Sequence, residues 1–334
     1  MNRRDMARAR ARLQALVREF LTARGFEEVE TPSLVPAAGM EPHIDAFQCR
    51  FVPEGGGTAR PLWLHTSPEY AMKRLLADGF PRIFQLAHVF RNGEISATHN
   101  PEFTMLEIYR AGTDYHGIMA DLEELVAHCA RELCGGTDVR GAGRDLDMRA
   151  PFERLTVADA FARIGIDLAA CDGDVEALRG QIVASGLSSG GSTDGYDDLF
   201  FRVFLERIEP WLGGRRPVYV FDWPAPMAAL ARLKVADPRW AERFELYAGG
   251  LELANGFSEL TDPVEQRERF ERELRMRAAA GRAVYPIDER FLDALGRMPP
   301  AGGVALGLDR LLMLLTGAET IEEVLLFPAR DFLA

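Results

Sequence analysis

No stretch of this 334-residue chain is apolar for long enough to span a bilayer, although 47% of its residues are hydrophobic. A membrane role is therefore not expected. The apolar content instead predicts a sizeable core, as one large domain or one domain with an insertion. The Arg-rich start, MNRRDMARARARLQALVREF, contains no serine and is interrupted by Asp5 and Glu19, which argues against a transit peptide. There Leu13, Leu16, Val17, Phe20 and Leu21 recur at helical spacing and predict a first amphipathic helix. No secretory apolar region is visible, so the expected location is cytoplasmic. Cysteine is sparse: Cys49, Cys129, Cys134 and Cys171 form no C-x-x-C pair, so neither a zinc site nor a disulfide framework is expected. Buried free thiols are the simpler reading. Positive charge is also in deficit, with a formal net charge of −12. A protein that covers a nucleic-acid backbone usually carries a basic surface, so tRNA is not an expected partner. The common nucleotide and hydrolase signatures are missing too. There is no G-x-x-x-x-G-K-[ST], GAGRDL lacks the third glycine of a dinucleotide fingerprint, and no G-x-S-x-G elbow occurs.

Three textures follow one another along the chain. Residues 1 to about 135 are dense in strand and helix patterns, and residues from about 216 regain that regularity, closing in a helix and a strand-like VLLFP. Between them, about 136–215 is looser, with GGTDVRGAGRD and SGLSSGGSTDGYDD as Gly/Ser/Asp-rich punctuation around a helical stretch. The simplest picture is one catalytic domain, 1–334, with a mostly helical insertion at about 136–215 and a mobile loop at SSGGSTDGYDD. No internal repeat is present.

The most informative segment is FQLAHVFRNGEISATHNPEFTMLEIYR, residues 84–110. It reads as strand, polar loop and strand, with Asn92-Gly93 and Asn100-Pro101 bracketing the loop. Side chains alternate along a strand, so Phe103, Met105, Glu107 and Tyr109 share one face. A wholly buried face would not hold Glu107 without a partner. A second hairpin is RFELYAGGLELANGFSELTD, residues 243–262. If its turn uses Ala248 and Gly249, Glu245 faces Glu252. Like charges so placed are destabilising unless a cation such as magnesium lies between them; if both instead point to solvent, no cation is needed. In LHTSPEYAMKRLL, residues 64–76, a strand leads into a helix with Ser67 as N-cap and Pro68 as first helical residue. GGVALGLDRLLMLLTG, residues 302–317, is a Gly-rich strand running into an apolar helix. Its glycines allow either close approach to a ligand or tight strand–helix packing.

FRN…HNPEFTMLE resembles motif 2 of the class II aminoacyl-tRNA synthetases, in the lysine branch. The resemblance implies an α+β fold: an antiparallel sheet flanked by helices, with the 136–215 insertion between motifs 2 and 3. It implies that Arg91 binds the ATP α-phosphate and Phe103 stacks on adenine, in accord with guanidinium and aromatic chemistry. The same likeness extends ATP contacts to Asn92, Gly93, Glu94, His99, Asn100, Glu252, Leu253 and Gly307. The family's Arg-x-Glu would place glutamate at position 93, where this chain has Gly93 with Glu94 next to it; Glu94 or a backbone carbonyl then has to take over that contact. Residues 302–317 resemble motif 3, whose arginine, here Arg310, clamps the γ-phosphate. RGFEEVETPSLVP, residues 24–36, resembles motif 1, whose proline, here Pro32, lies at a homodimer interface. The acidic hairpin is similar to the metal- and substrate-binding strands of lysyl-tRNA synthetases, which implies Glu245 and Glu252 as magnesium ligands. Asn255 and Glu259 are implied as substrate contacts, with a bulge at Asn255-Gly256 to bring Glu259 into line. The Ser67-Pro68-Glu69 turn would line the amino-acid pocket.

Glu69, Glu107 and Glu259 would then converge with Tyr109, which suits a substrate with two amines, because a desolvated ammonium needs anionic or acceptor partners. Lysine and its isomers fit. By size and motifs the chain is similar to the elongation factor P–(R)-β-lysine ligases, which attach β-lysine to a lysine ε-amino group on elongation factor P. In that family the β-lysine preference accompanies an alanine, here Ala305, where tRNA-charging relatives have glycine. The resemblance covers nearly all of the chain and leaves no length for an anticodon-reading domain. Two other readings stand beside this one: a truncated synthetase that acylates tRNA or a small molecule, and a regulatory paralogue without activity. The charges retained at Arg91, Glu245, Glu252 and Arg310 argue against the latter.

Overall fold

The Arg-rich start folds as helix α1 (Arg3–Ala23), with the Asn2 side chain accepting from the Asp5 N–H at its N-terminus. Its predicted apolar stripe, Leu13 to Leu21, is fully buried. In this computed structural model residues 1–141, 144–188, 190–191 and 194–333 are described. After β1 (Glu27–Glu28) comes a small antiparallel sheet of β2 (Leu34–Val35), β3 (Gln48–Phe51) and β4 (Arg60–Leu64). Helix α2 (Glu69–Ala77) precedes the long hairpin of β5 (Arg82–Phe90) and β6 (Glu102–Ala111), and α3 (Tyr115–Cys134) follows. The middle of the chain holds the hairpin β7 (Asp138–Gly141) and β8 (Arg144–Asp147), then β9 (Glu153–Thr156), α4 (Val157–Ala162), α5 (Val175–Ala184) and α6 (Tyr196–Val203). Strands β10 (Val218–Pro224), β11 (Trp240–Ala248) and β12 (Leu251–Ser258) come next, then α7 (Pro263–Ala279) and α8 (Glu289–Leu295). The chain closes with β13 (Ala301–Gly307), α9 (Leu308–Thr316), α10 (Ile321–Val324) and α11 (Arg330–Leu333).

Eight strands form the main sheet in the order β1-β5-β6-β13-β12-β11-β10-β9. The expected antiparallel sheet is mixed at its edges, because β1–β5 and β9–β10 pair in parallel. Parallel partners need long crossovers. The small sheet with α2 supplies one, and α4 to α6 supply the other. One face of the sheet is covered by α1, α3 and α9, and Phe84, Leu106, Ile108, Phe244, Leu246, Val304 and Leu306 pack there in one apolar cluster. Alternation sends the odd-numbered residues of β5, β6 and β13 to the opposite face, which carries the polar groups. A second cluster, including Phe161, Phe200, Phe204 and Trp223, sits under α4 to α6. It gives the 136–215 segment apolar packing of its own, although three of that segment's elements are strands.

Three local readings are corrected. The acidic hairpin turns on Gly249 and Gly250, with φ of +59° and +72°, because the turn that matches strand twist needs left-handed backbone at both central residues. Ala248 stays in β11, and Glu245 therefore pairs with Asn255 rather than Glu252. The bulge lies at Leu253, where the pairing steps from Leu246↔Ala254 to Tyr247↔Glu252, not at Asn255-Gly256. VLLFP is not a strand: Val324 ends α10 and a short turn leads to α11. In the proposed mobile loop, Ser189, Ser192 and Thr193 lie outside the described residues. Nearby, Asp194 receives the Gly191 N–H and pairs with Arg202, and Tyr196 opens α6. All four cysteines are free, but only Cys129 and Cys171 are buried; Cys134 is exposed and Cys49 half-buried. Among the described residues no helix is long and apolar enough to cross a membrane.

Candidate active site

Strand register lays a row of side chains across the polar face of the sheet. Gln85 pairs with Glu107, Glu107 with Ala305, Ala305 with Asn255, and Asn255 with Glu245. One step along the strands, Tyr109, Gly303, Phe257 and Arg243 form the next row. A cavity of about 430 Å³ stands over this face, and its wall includes Arg91, Phe103, Asn255, Ala305 and Arg310. It brings together residues from segments more than 200 positions apart. A second cavity of similar volume adjoins it across Glu41, Ser67 and Glu69 and contains Pro32 and Pro68.

The hairpin loop after β5 is docked on the C-terminal helices. Ala97 O accepts from Ile321 N–H, Thr98 O from Arg310, and the Asn100 side chain from Ala329 N–H. The Asn100 amide also donates to Glu102 O at 2.6 Å, so this buried residue holds the loop in shape while lining the cavity. Arg310 donates to Glu252 O at 2.8 Å and to His99 Nε2 at 2.7 Å. A guanidinium has only donors, so His99 Nε2 accepts and its Nδ1–H donates to Ser96 Oγ at 2.8 Å. Burial, helped by Arg310 and Arg91, pushes the His99 pKa down to about 4. A neutral imidazole and two carbonyls thus position Arg310 without cancelling its charge. Arg91 lies over the Phe103 ring at 5.1 Å, and its nearest carboxylate oxygen, on Glu94, is 3.8 Å away. Glu94 lines the cavity, and its Oε2 has no partner. Gly93 is exposed at a φ of +85°, and neither it nor Asn92 is part of the cavity wall. Leu253 and Gly307 are.

At the other end, helix α2 starts at Glu69, with Pro68 at the N-cap position. Ser67 still takes the local capping role, accepting from the Glu69 N–H at 3.0 Å, and its hydroxyl donates to Glu107. Tyr109 donates to the other Glu107 oxygen at 2.6 Å. Burial and then Glu69 push the Glu107 pKa up to about 7, against the pull of the two hydroxyls. Glu107, Tyr109 and Glu259 are buried directly behind the cavity wall rather than in it. Gly303 makes room for two of them: a Cβ there would meet Glu259 Oε1 at 2.2 Å and the Tyr109 ring at 2.3 Å. Gly302 serves packing instead, since a Cβ would run into Ile118 and Asp114 on the α3 side. Glu259 is 1% exposed, and burial pushes its pKa up to about 8 although Lys73 opposes this. Its Oε2 is 2.5 Å from Lys73 Nζ, and that ammonium also donates to Glu69 Oε1 at 2.5 Å. The sequence reading missed Lys73. Its i+4 spacing from Glu69 was visible, but that spacing usually marks a surface pair. Arg243 was missed as well. It reaches Asn255 Oδ1 at 3.3 Å, Glu245 at 2.6 Å and Met227 O at 2.7 Å, so it steadies Asn255.

Both members of the expected metal pair, Glu245 and Glu252, lie in the cavity wall, in different states. Both oxygens of Glu245 are engaged, one by Arg243 and one by the Tyr247 hydroxyl, each at 2.6 Å. Burial and then Glu252 raise its pKa to about 7. Among the described residues no group of three metal-ligating side chains occurs. Magnesium bound with nucleotide needs only one or two carboxylates beside the phosphates. Glu252 in the cavity wall is the freer of the two for that role, since Glu245, in the same wall, already has one hydrogen bond on each oxygen.

The mixed sheet, the docked hairpin and the arginine-bearing strand–helix unit define the class II aminoacyl-tRNA synthetase type of catalytic domain. The comparisons agree with the geometry. The chain belongs to the class II tRNA synthetases (D, K and N), whose family model matches residues 1–331. It is 38% identical over 326 residues to a lysine–tRNA ligase of Carboxydothermus hydrogenoformans, aligning 96% of this chain with 64% of that protein. It is 39% identical over 329 residues to that of Chloroflexus aurantiacus (98% and 65%) and 40% identical over 321 residues to that of Moorella thermoacetica (96% and 64%). The chain thus spans about 65% of the length of these curated relatives.

Proposed function

We propose that this protein is an ATP-dependent ligase that activates (R)-β-lysine, or lysine, as its adenylate. It then transfers the acyl group to a lysine ε-amino group on elongation factor P. The observation that carries the reading is the pairing, in one cavity, of two arginines without close carboxylate partners and a pocket backed by three glutamates. The substrate carboxylate attacks the α-phosphorus of ATP and pyrophosphate leaves. Arg91 and Arg310 hold charge on the phosphoryl oxygens as it develops, Phe103 offers a face to adenine, and Glu94 replaces the glutamate missing at position 93. Magnesium, held by Glu252 with the phosphates, would neutralise phosphate charge. The acceptor amine then attacks the adenylate carbonyl and AMP leaves. Glu69, Asn255 and Glu259 receive the substrate ammonium groups, with Ser67, Glu107 and Tyr109 fixing the floor.

Ala305 supports the β-amino preference. It sits between Glu107 and Asn255 in the row of the sheet beneath the cavity, so its methyl would move the point from which an amino group can reach either. Incubation with ATP, (R)-β-lysine and elongation factor P should add one lysyl mass to the factor, read by mass spectrometry. ATP–pyrophosphate exchange should also run faster with (R)-β-lysine than with α-lysine. Equal or reversed preference removes the β-lysine claim.

A second reading, acylation of tRNA, is favoured by the names of the relatives, and transfer of labelled lysine to tRNA would select it. We also propose a homodimer through the β2–β4 sheet, where Leu34, Phe51 and Val52 are 43–57% exposed. Sedimentation at micromolar concentration tests it, and a monomer would refute it.

A further inference from the structure

We propose that Lys73 is a positioning and specificity-determining residue: a built-in ammonium that sets the charge of the amino-acid pocket to match a substrate with two ammonium groups. The inference rests on the reading of this cavity as an amino-acid pocket and extends it to a residue that lies behind the wall.

Lys73 is 1% exposed and sits between two carboxylates of different elements, Glu69 on α2 and Glu259 after β12, at 2.5 Å from each. The remaining groups around its nitrogen are rings, Phe257 of β12 at 5.6 Å and Phe291 of α8 at 6.0 Å. Glu107 on β6 is the next carboxylate to feel its charge. Glu41, close to Glu69, has Arg91 and Arg277 nearby. One ammonium offsets part of the acidity of Glu69, Glu107 and Glu259, and a diammonium substrate supplies further positive charge as Glu107 and Glu259 lose their protons near 7 and 8. Without Lys73 the three glutamates would face one another in a dry site, and Glu107 and Glu259 would hold their protons to higher pH still.

Composition points the same way. Of 39 basic residues in the chain only two, Lys73 and Lys234, are lysines. A sequence that uses arginine nearly everywhere keeps lysine here. A compact ammonium can lie between two carboxylates where a planar fork is too long and too wide. Burial opposes its charge, but Glu259 and Glu69 outweigh burial and raise its pKa, so it stays protonated. It engages Glu259 through Oε2 only, and Glu259 Oε1, beside Gly303 and Tyr109, has no hydrogen-bond partner. Lys73 therefore fixes the orientation of the Glu259 carboxyl group.

The test is ATP–pyrophosphate exchange with a diammonium amino acid as a function of pH. In Lys73→Met the amino-acid KM at pH 7 should rise by about 10- to 100-fold with a much smaller change in kcat. The pH midpoint at which KM falls should move up by about one unit or more, since the carboxylates lose their counter-charge. Lys73→Arg keeps the charge at the wrong reach and should raise KM while leaving the midpoint in place. A Met variant with an unshifted midpoint overturns the proposal. If that variant does not fold, an Arg variant whose midpoint moves overturns it, and one whose midpoint stays supports it. Should the unaltered protein catalyse exchange with no diammonium amino acid, the underlying reading of the pocket fails instead.

Discussion

The two ends of the cavity handle buried charge in opposite ways. At the phosphate end Arg310 is held by two carbonyls and a neutral histidine, and Arg91 by a ring and a distant carboxylate. Neutral acceptors fix a cation in place and leave its charge for a ligand. At the amino-acid end Glu69 in the wall and Glu107 and Glu259 behind it crowd together, and the protein opposes part of their charge from within through Lys73. Cations can be left uncompensated near water, where Arg91 and Arg310 are half-buried. Carboxyl groups that are 1–8% exposed, as these are, are pushed toward the protonated form by burial, and a resident ammonium opposes that push.

The sharpest way to break this contrast is at the phosphate end. Arg310→Ala should lower ATP–pyrophosphate exchange by about 100- to 1,000-fold, the scale of losing one preorganised donor to a charged transition state. Arg310→Lys should recover little of it, because a point charge cannot keep both carbonyls and the imidazole. A loss under tenfold would mean that the nucleotide lies elsewhere. Glu259→Gln should follow, with kcat/KM for the lysine-type substrate down about 10- to 100-fold and KM for ATP nearly unchanged. If both constants move together, the two ends are not separate. It should also destabilise the fold by about 3 kcal/mol, since it removes one partner of a buried pair.

The pH dependence of stability separates the ends without any substitution. Glu107 and Glu259 hold their protons up to about 7 and about 8, against 4.5 ordinarily. The folded chain thus binds more protons than the unfolded chain between these values, and stability is lost as pH rises through them. Glu245 and Glu273 act in the same direction. His99 works the other way, but only below its ordinary 6.5. Melting of the free protein should therefore fall by several degrees, of order 5 °C, between pH 6.5 and 9, and a saturating diammonium substrate should shrink that fall. A flat profile would contradict the buried carboxylates. The smallest effect belongs to Asn100→Ala, which should lower the melting temperature by about 2–4 °C and leave the ATP KM within about twofold; a tenfold KM rise would return Asn100 to the ligand.

Strand alternation made the polar face of β6 legible, because Phe103, Met105, Glu107 and Tyr109 needed only a period of two. The helix of Leu13 to Leu21 was equally open to a periodic reading. What failed were features decided by one residue of register. Ala248-Gly249 and Gly249-Gly250 are both acceptable turns on paper, and only the need for two left-handed residues separates them. Lys73 could not be assigned from sequence at all, since its second partner lies 186 positions away and is brought near by the fold. The string around Asn100 suggested a nucleotide contact, but its bond to the C-terminal segment leaves no mark in that string.

The single extra residue at Leu253 gives β12 two reading frames. Toward Ser258 the odd positions Asn255 and Phe257 look into the cavity, while on the far side of the bulge the even-numbered Glu252 does so. Removing that one residue would restore regular alternation with Ala254 still opposite Leu246 and Glu252 still opposite Tyr247. The bulge thus sets the local twist between the carboxylate proposed for the metal and Asn255 while both keep to the cavity face.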